Sequence, residues 1–145
     1  MMNIHARFLF EIRFYEARRE KFISGEELCR MMQQAQEEAY CGALGEWHPY
    51  FWAAKMHFYF TGVPFYNFPY TFGYLFSLGI YRRAKKEGVA FMESYDALLR
   101  ESGTMRVEDL AEKHLGVDLA KPDFWREAAS AAVADVEEFL RLVNK

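Results

Sequence analysis

Residues 50–81 read YFWAAKMHFYFTGVPFYNFPYTFGYLFSLGIY, an aromatic and almost uncharged stretch in the middle of the chain. Lys55 is its only charged side chain, and no charge occurs from Phe58 to Ile80. So large an apolar segment must be buried in a core, cross a membrane or line a functional site, because exposed apolar patches on this scale are rare. The interpretation of the whole chain depends on which of these holds.

A membrane span is the least favoured of the three. The run from Phe58 to Ile80 is long enough to cross a bilayer, and four basic residues follow it between positions 82 and 86. It nevertheless contains prolines, glycines, an asparagine and four tyrosines, where a membrane span would carry Leu, Ile and Val. We therefore expect no association with a membrane.

The composition describes an ordinary globular domain. The chain has 145 residues, of which 52% are hydrophobic and 27% charged, and this length predicts one domain. The net charge of −3 gives no basic face for a nucleic acid. Cys29 and Cys41 form no Cys-x-x-Cys pair, and the N-terminus is too charged for a signal peptide. These features predict reduced cysteines and a cytoplasmic protein.

The first third of the chain predicts two helices. Apolar residues recur at helical spacing from Ile4 to Arg19, which indicates an amphipathic helix. A second helix is predicted to begin at Ser24, because Ser24 and Glu27 have the spacing of a capping box. Residues 46–64 suit either a short strand or an irregular packed segment.

A long helix is predicted next, ending near Lys86 and terminated by Gly88. Its start has two interpretations. Pro64 could be its first residue, in which case Pro69 kinks it, or Asn67 could cap it with Pro69 in the first turn.

The last third predicts three more helices, over residues 89–102, over residues 107–115 and from Pro122 onward. In the helix over residues 89–102, the side chains predicted to face inward are Phe91, Tyr95, Leu98 and Leu99. An apolar stripe should line one side of the last, formed by Trp125, Ala129, Ala132, Val136, Phe139, Leu140 and Val143. No strand alternation is evident, so the sequence predicts an all-α fold, a bundle of about six helices in a single domain over residues 1–145.

The histidines do not suggest a metal site within this chain. No two of them lie four residues apart, and no His-Glu-x-x-His occurs; they are His5, His48, His57 and His114. We therefore expect no metal ligands and no cofactor in this chain.

The tyrosines in the aromatic stretch are the more informative candidates. Tyr66, Tyr70 and Tyr74 share one face at helical spacing. From spacing alone they are either core aromatics or donors that project into a cleft beside His57. In the second case the neutral phenols could stabilise the oxyanion of an acyl-transfer reaction.

The same stretch resembles oligoendopeptidase F, a family of zinc metallopeptidases similar to thimet oligopeptidase. The resemblance lies in HFY at 57–59, PFY at 64–66 and NFPYTFGYLF at 67–76. It continues through GxxFxxxYxxLL at 88–99, GVD at 116–118 and FW at 124–125, and it reaches back to RFLFE at 7–11. It thus covers essentially the whole chain.

The resemblance implies that this chain is the C-terminal portion of a larger all-helical peptidase and forms part of its active-site cleft wall. His57, Tyr66 and Tyr70 would contact the peptide substrate or stabilise the tetrahedral intermediate. Further substrate contacts are expected from Tyr59, from Tyr74 and from two glycines that allow close approach, Gly62 and Gly73. The complete enzyme would hydrolyse short peptides and bind zinc.

The chain departs from the family in one respect. The family's zinc ligands, a His-Glu-x-x-His helix and a later glutamate, lie upstream of the matched region, and neither is present here. We therefore expect a peptidase fragment that lacks an N-terminal catalytic half and is inactive alone, because zinc-dependent attack needs both ligands and a general base.

Two alternatives do not involve catalysis. The chain could be a helical domain that binds peptides or a partner chain, or a remnant that associates with itself. Because a half-domain would expose apolar surface, we expect a homo-oligomer.

Overall fold

The computed structural model describes residues 1–144, in which every regular element is helical and no strand occurs. The α-helices are α1 (Met2–Glu20), α2 (Gly25–Ala39), α3 (Phe68–Glu87), α4 (Met92–Glu101), α5 (Val107–Leu115) and α6 (Pro122–Val143). Two 3₁₀ turns, Met56–Phe58 and Gly88–Phe91, complete the regular structure of these residues. The predicted all-α fold of about six helices is confirmed.

The chain forms two compact units. The first comprises Met1–Phe72, and the second begins at Gly73, within α3. Within the described residues, no helix is both long enough and apolar enough to cross a membrane.

Helices α1 and α2 form the frame of the first unit. They run antiparallel, because Arg13 pairs with Glu38 whereas Lys21, the residue directly after α1, pairs with the earlier residue Glu27. Their shared core is centred on the fully buried Phe10. The other members of this core are Met32 and Ala35, with Leu9, Phe14, Leu28, Met31, Phe51, Trp52 and Phe58 packed around them.

The capping box predicted at the start of α2 is confirmed. The Glu27 N–H donates to Ser24 Oγ at 3.2 Å, and the Ser24 N–H donates to Glu27 Oε2 at 2.9 Å. These reciprocal bonds satisfy two backbone donors that the helix itself leaves unpaired. They fix the point at which the chain turns back along α1.

The segment between α2 and α3 is irregular, with a 3₁₀ turn and no strand. Helix α3 begins at Phe68, directly after Asn67, so Pro69 lies in the first turn and Pro64 lies outside the helix. Of the two predicted starts, the structure therefore has the one at Asn67. The side-chain amide of this residue bonds to Arg7 and His57.

In the second unit α4 packs against α5. The Glu101 carboxylate bonds to Lys113 Nζ at 2.8 Å and to His114 Nε2 at 2.6 Å. Leu98 is buried in this unit, but Leu99 is 52% exposed, so the prediction that Leu99 faces inward is wrong. Successive helical residues are separated by about 100°, and the packed face of α4 includes Leu98 and not its neighbour.

The apolar stripe of α6 is largely exposed in its second half. Ala128 is buried, whereas Val136, Phe139, Leu140 and Val143 are all exposed. Contiguous apolar surface of this kind usually marks a contact site.

Two glycines of α3 provide a matched test of the packing in the second unit. A Cβ at Gly79 would lie 2.3 Å from the ring of Phe124, which itself packs against Trp125, whereas a Cβ at Gly73 meets nothing within 4 Å. We expect Gly79→Ala to lower the free energy of unfolding by about 1–3 kcal/mol through overpacking. Gly73→Ala should raise it by about 0.5–1 kcal/mol through helix propensity. Urea denaturation of both variants measures the difference, and an equal response would contradict this account of Gly79.

Candidate functional site

His57, Tyr66 and Tyr70 lie together at the surface of the first unit. The imidazole of His57 stacks on the ring of Tyr66, with centroids 5.7 Å apart. The Tyr70 hydroxyl donates to the Tyr66 hydroxyl at 3.0 Å. Tyr66 is 46% exposed and Tyr70 is 57% exposed, so both phenols can be reached from solvent. The three residues of the predicted catalytic set are therefore neighbours.

The amide of Asn67 determines which nitrogen of His57 carries the proton. Asn67 is buried, and its Oδ1 accepts from Arg7 Nη1 at 2.9 Å. Its NH₂ group therefore faces His57 Nε2, 2.5 Å away, and donates to it. Because Nε2 acts as an acceptor, a neutral His57 carries its proton on Nδ1.

The surroundings of His57 favour the neutral ring. Burial lowers the pKa of His57, and the positive charges of Arg7 and Lys55 lower it further. Both cations approach Phe51, with Arg7 at 5.1 Å and Lys55 Nζ at 4.9 Å from its ring centroid. This arrangement keeps two positive charges near the imidazole and disfavours a third charge on the ring.

The hydrogen bond between the phenols also has a direction. Because the Tyr70 hydroxyl donates its proton to Tyr66, that bond raises the pKa of Tyr70. The Tyr66 oxygen accepts in this bond, so its own O–H remains available for a ligand. Linked hydroxyls polarise one another, which strengthens the free donor.

The other predicted contact residues are all exposed to solvent. Tyr59 is exposed, and its hydroxyl donates to the Ala53 carbonyl at 3.3 Å. Gly62 is exposed, with open space where a side chain would be. Gly73 and Tyr74 are also exposed and belong to the second unit. Their roles as substrate contacts remain predictions.

A groove of about 560 Å³ lies beside the turn that carries Tyr66. Ile12, Tyr15, Pro64 and Phe65 form its apolar part, together with three charged residues of α1. The groove is therefore lined by both apolar and charged side chains.

Sequence reasoning missed three residues that support this site: Arg7, Glu11 and Asn67. Arg7 and Glu11 are the first and last residues of RFLFE, a segment that predicted a helix and carried part of the resemblance but gave neither residue a role in the site. The buried Glu11 accepts the Phe65 N–H at 2.6 Å, across 54 positions of sequence. Charged residues on the buried side of an amphipathic helix were the available signal, because such groups require partners.

The residues described by the structure do not suit a metal ion. Within positions 1–144, no group of three His, Cys, Asp or Glu side chains could hold one. Cys29 and Cys41 are both free thiols. The donor set at His57 is made of phenols, an imidazole and amides, which suits hydrogen bonding rather than zinc coordination.

Comparison of the chain with protein-family models, with curated proteins and with solved structures gave no match. The relation to oligoendopeptidase F therefore stays a prediction that rests on sequence motifs, chiefly those at residues 57–76.

Replacing Tyr66 by Phe tests the bond between the phenols. Without the acceptor oxygen, the raised pKa of Tyr70 should fall towards its ordinary value. Spectrophotometric or NMR titration of the tyrosines measures this change. Tyr50→Phe, at an exposed tyrosine elsewhere in the first unit, should leave Tyr70 unaffected. A Tyr70 pKa unchanged by Tyr66→Phe would show that the bond is not formed in solution.

The pKa of His57 gives a second test. NMR titration should place it below the usual value of about 6.5, and Arg7→Met should raise it by removing a positive charge. Arg13→Met, on the same helix but paired with Glu38, is the control that should not change it.

The lowered pKa of His57 also affects stability. Between that pKa and the usual value, the unfolded chain binds the proton more readily than the folded chain. The free energy of unfolding should therefore decrease as pH falls through this window. The decrease should be smaller in Arg7→Met, and an equal decrease in both proteins would contradict the role of the charge.

Proposed function

We propose that this chain forms the substrate-contacting wall of an oligoendopeptidase F-like metallopeptidase, as the C-terminal part of a larger helical fold. The complete enzyme would hydrolyse internal bonds of short peptides. The observation that carries this proposal is the cluster of His57, Tyr66 and Tyr70, in which Tyr70 donates to Tyr66 and the two phenols are exposed to solvent.

The cluster supplies donors suited to a peptide carbonyl. Tyr66 has a free O–H because it accepts from Tyr70, and a neutral His57 has its N–H at Nδ1 because Nε2 accepts from Asn67. Uncharged, preorganised donors bind a carbonyl oxygen and bind it more strongly as negative charge develops on it. The groove beside Phe65 adds apolar surface for a neighbouring side chain of the peptide.

The residues that the structure describes, positions 1–144, do not fit a zinc ion, and no metal-dependent step is assigned to them. In the proposed complete enzyme, the metal and the general base belong to an N-terminal half. The isolated chain is therefore expected to bind peptides without cleaving them. The exposed apolar residues in the second half of α6 are consistent with a partner, whether that half or a second copy.

A non-catalytic domain that binds peptides or a partner chain is the second candidate. Exposed apolar side chains near His57 in sequence favour it, namely Met56, Tyr59, Phe60 and Phe68. Aromatic surfaces of this kind are enriched in protein interfaces, where they supply contact area at a low entropic cost. Both candidates predict peptide binding at the same surface and differ only in catalysis.

Peptide binding by the isolated chain tests the proposal. A short unstructured peptide should shift the NMR signals of His57, Tyr66 and Tyr70, and Tyr66→Phe should weaken binding by about 3–10-fold through the loss of one hydrogen bond. Tyr50→Phe is the control that should bind normally. The absence of binding by the unsubstituted chain would contradict the proposed function and would leave the second candidate only as a domain that binds a partner chain.

Complementation separates the two candidates. The chain is mixed with the zinc-binding half of an oligoendopeptidase F, and hydrolysis of the peptide is followed. The proposed enzyme predicts restored cleavage, with kcat reduced by about 10²–10³-fold in Tyr66→Phe if this donor faces the oxyanion. Binding without restored cleavage would favour the non-catalytic domain.

A further inference from the structure

The turn that carries Tyr66 has an unusual backbone. Phe65 has φ +55°, in the left-handed region that bulky residues rarely adopt. Such a conformation persists only where the surrounding contacts impose it. The residues that impose it are therefore expected to determine where the next side chain, Tyr66, is placed.

Helix α1 supplies these contacts at Phe65. Glu11, only 1% exposed, accepts the Phe65 N–H at 2.6 Å. The ring of Phe65 packs between Phe8, at 5.7 Å between centroids, and Tyr15, at 5.5 Å. All three residues of α1 lie on one helical face, so Phe65 is held through both its backbone and its ring.

A second contact from the same helix holds the residue after Tyr66. Arg7 Nη1 donates to the buried Asn67 Oδ1 at 2.9 Å, and its guanidinium lies over Phe51. Arg7 and Glu11 are four residues apart and therefore lie one above the other on α1. Tyr66 is thus flanked by two anchored residues, while its own ring remains accessible.

We propose that Glu11 and Arg7 are positioning residues that fix the turn Phe65–Asn67 and thereby place Tyr66 against His57 and Tyr70. Glu11 acts on the strained residue before Tyr66, and Arg7 acts on the residue after it. The importance of this placement for peptide binding rests on the proposed function, but the placement itself can be measured without it.

Substitutions of Glu11 test its role. Glu11→Gln keeps a side-chain oxygen that accepts the Phe65 N–H, whereas Glu11→Leu has a similar size and no acceptor. We expect Glu11→Leu to lower the raised pKa of Tyr70 towards its ordinary value, as Tyr66→Phe does. Glu11→Gln should preserve the raised pKa. If Glu11 only stabilised the fold, the Tyr70 pKa would not depend on whether residue 11 can accept a hydrogen bond. A raised Tyr70 pKa in Glu11→Gln, together with a lowered one in Glu11→Leu, would therefore indicate a positioning role.

The matched control is Glu20→Leu, the same chemical change at an exposed position of α1. It should leave the Tyr70 pKa unchanged. A Glu11→Leu protein that folds and keeps the raised Tyr70 pKa would overturn the proposal.

Hydrogen exchange tests the contact even if Glu11→Leu fails to fold. In the unsubstituted chain, the Phe65 amide should exchange at least about tenfold more slowly than the adjacent Tyr66 amide, because Glu11 protects it. The Gln variant should retain this protection. Equally rapid exchange at both amides would overturn the role of Glu11.

Peptide affinity measured on the same variants separates this proposal from the proposed function. If the turn positions a binding residue, affinity should fall in Glu11→Leu and be retained in Glu11→Gln. If the Tyr70 pKa responds as expected but no protein binds peptide, the positioning role is supported and the proposed function is contradicted.

Discussion

The packing of α1 against α2 is the interaction on which the geometry of the first unit depends. Phe10 is buried between the two helices and contacts Phe14 and Phe58, with ring centroids 6.0 and 5.1 Å apart. Truncation of such a residue typically costs about 3–5 kcal/mol, a large share of the 5–15 kcal/mol that stabilises an ordinary domain. The same helix also carries Arg7 and Glu11, which bond to Asn67 and Phe65. A shift of α1 in the core would therefore also move the Phe65–Asn67 turn.

Local rules predicted much of the fold. The capping box of Ser24 and Glu27 located the start of α2, and Gly116, with φ +63°, ends α5 as expected of a glycine after a helix. Such signals depend on residues a few positions apart, whose geometry is fixed by the helix itself. Leu99 shows the limit of this reasoning, because periodicity over a short helix does not determine which of two adjacent leucines meets a neighbouring element.

The candidate site was predictable only in part. Tyr66 and Tyr70 lie four positions apart and are in contact, as their spacing predicted, but Tyr66 precedes the first residue of α3, so the contact is not made along one helix face. The bonds to the residues on either side of Tyr66, Phe65 and Asn67, join positions that are 54 and 60 apart in sequence. Pairings of this range depend on how the helices pack, and one sequence does not contain that information. The charges within RFLFE indicated that partners must exist, but not which backbone or amide group would supply them.

The hydrogen bonds from Arg7 through Asn67 to His57 have a fixed order of donors and acceptors, which limits the residue types possible at position 67. A guanidinium can only donate, and a neutral imidazole nitrogen at the other end accepts, so the residue between them must accept on one side and donate on the other. Asparagine meets both demands. Aspartate, almost identical in shape, offers acceptors on both sides and would recruit a proton to Nε2, turning an uncharged imidazole into half of an ion pair. Replacing Asn67 by Asp would thus change the charge of His57 without moving its side chain.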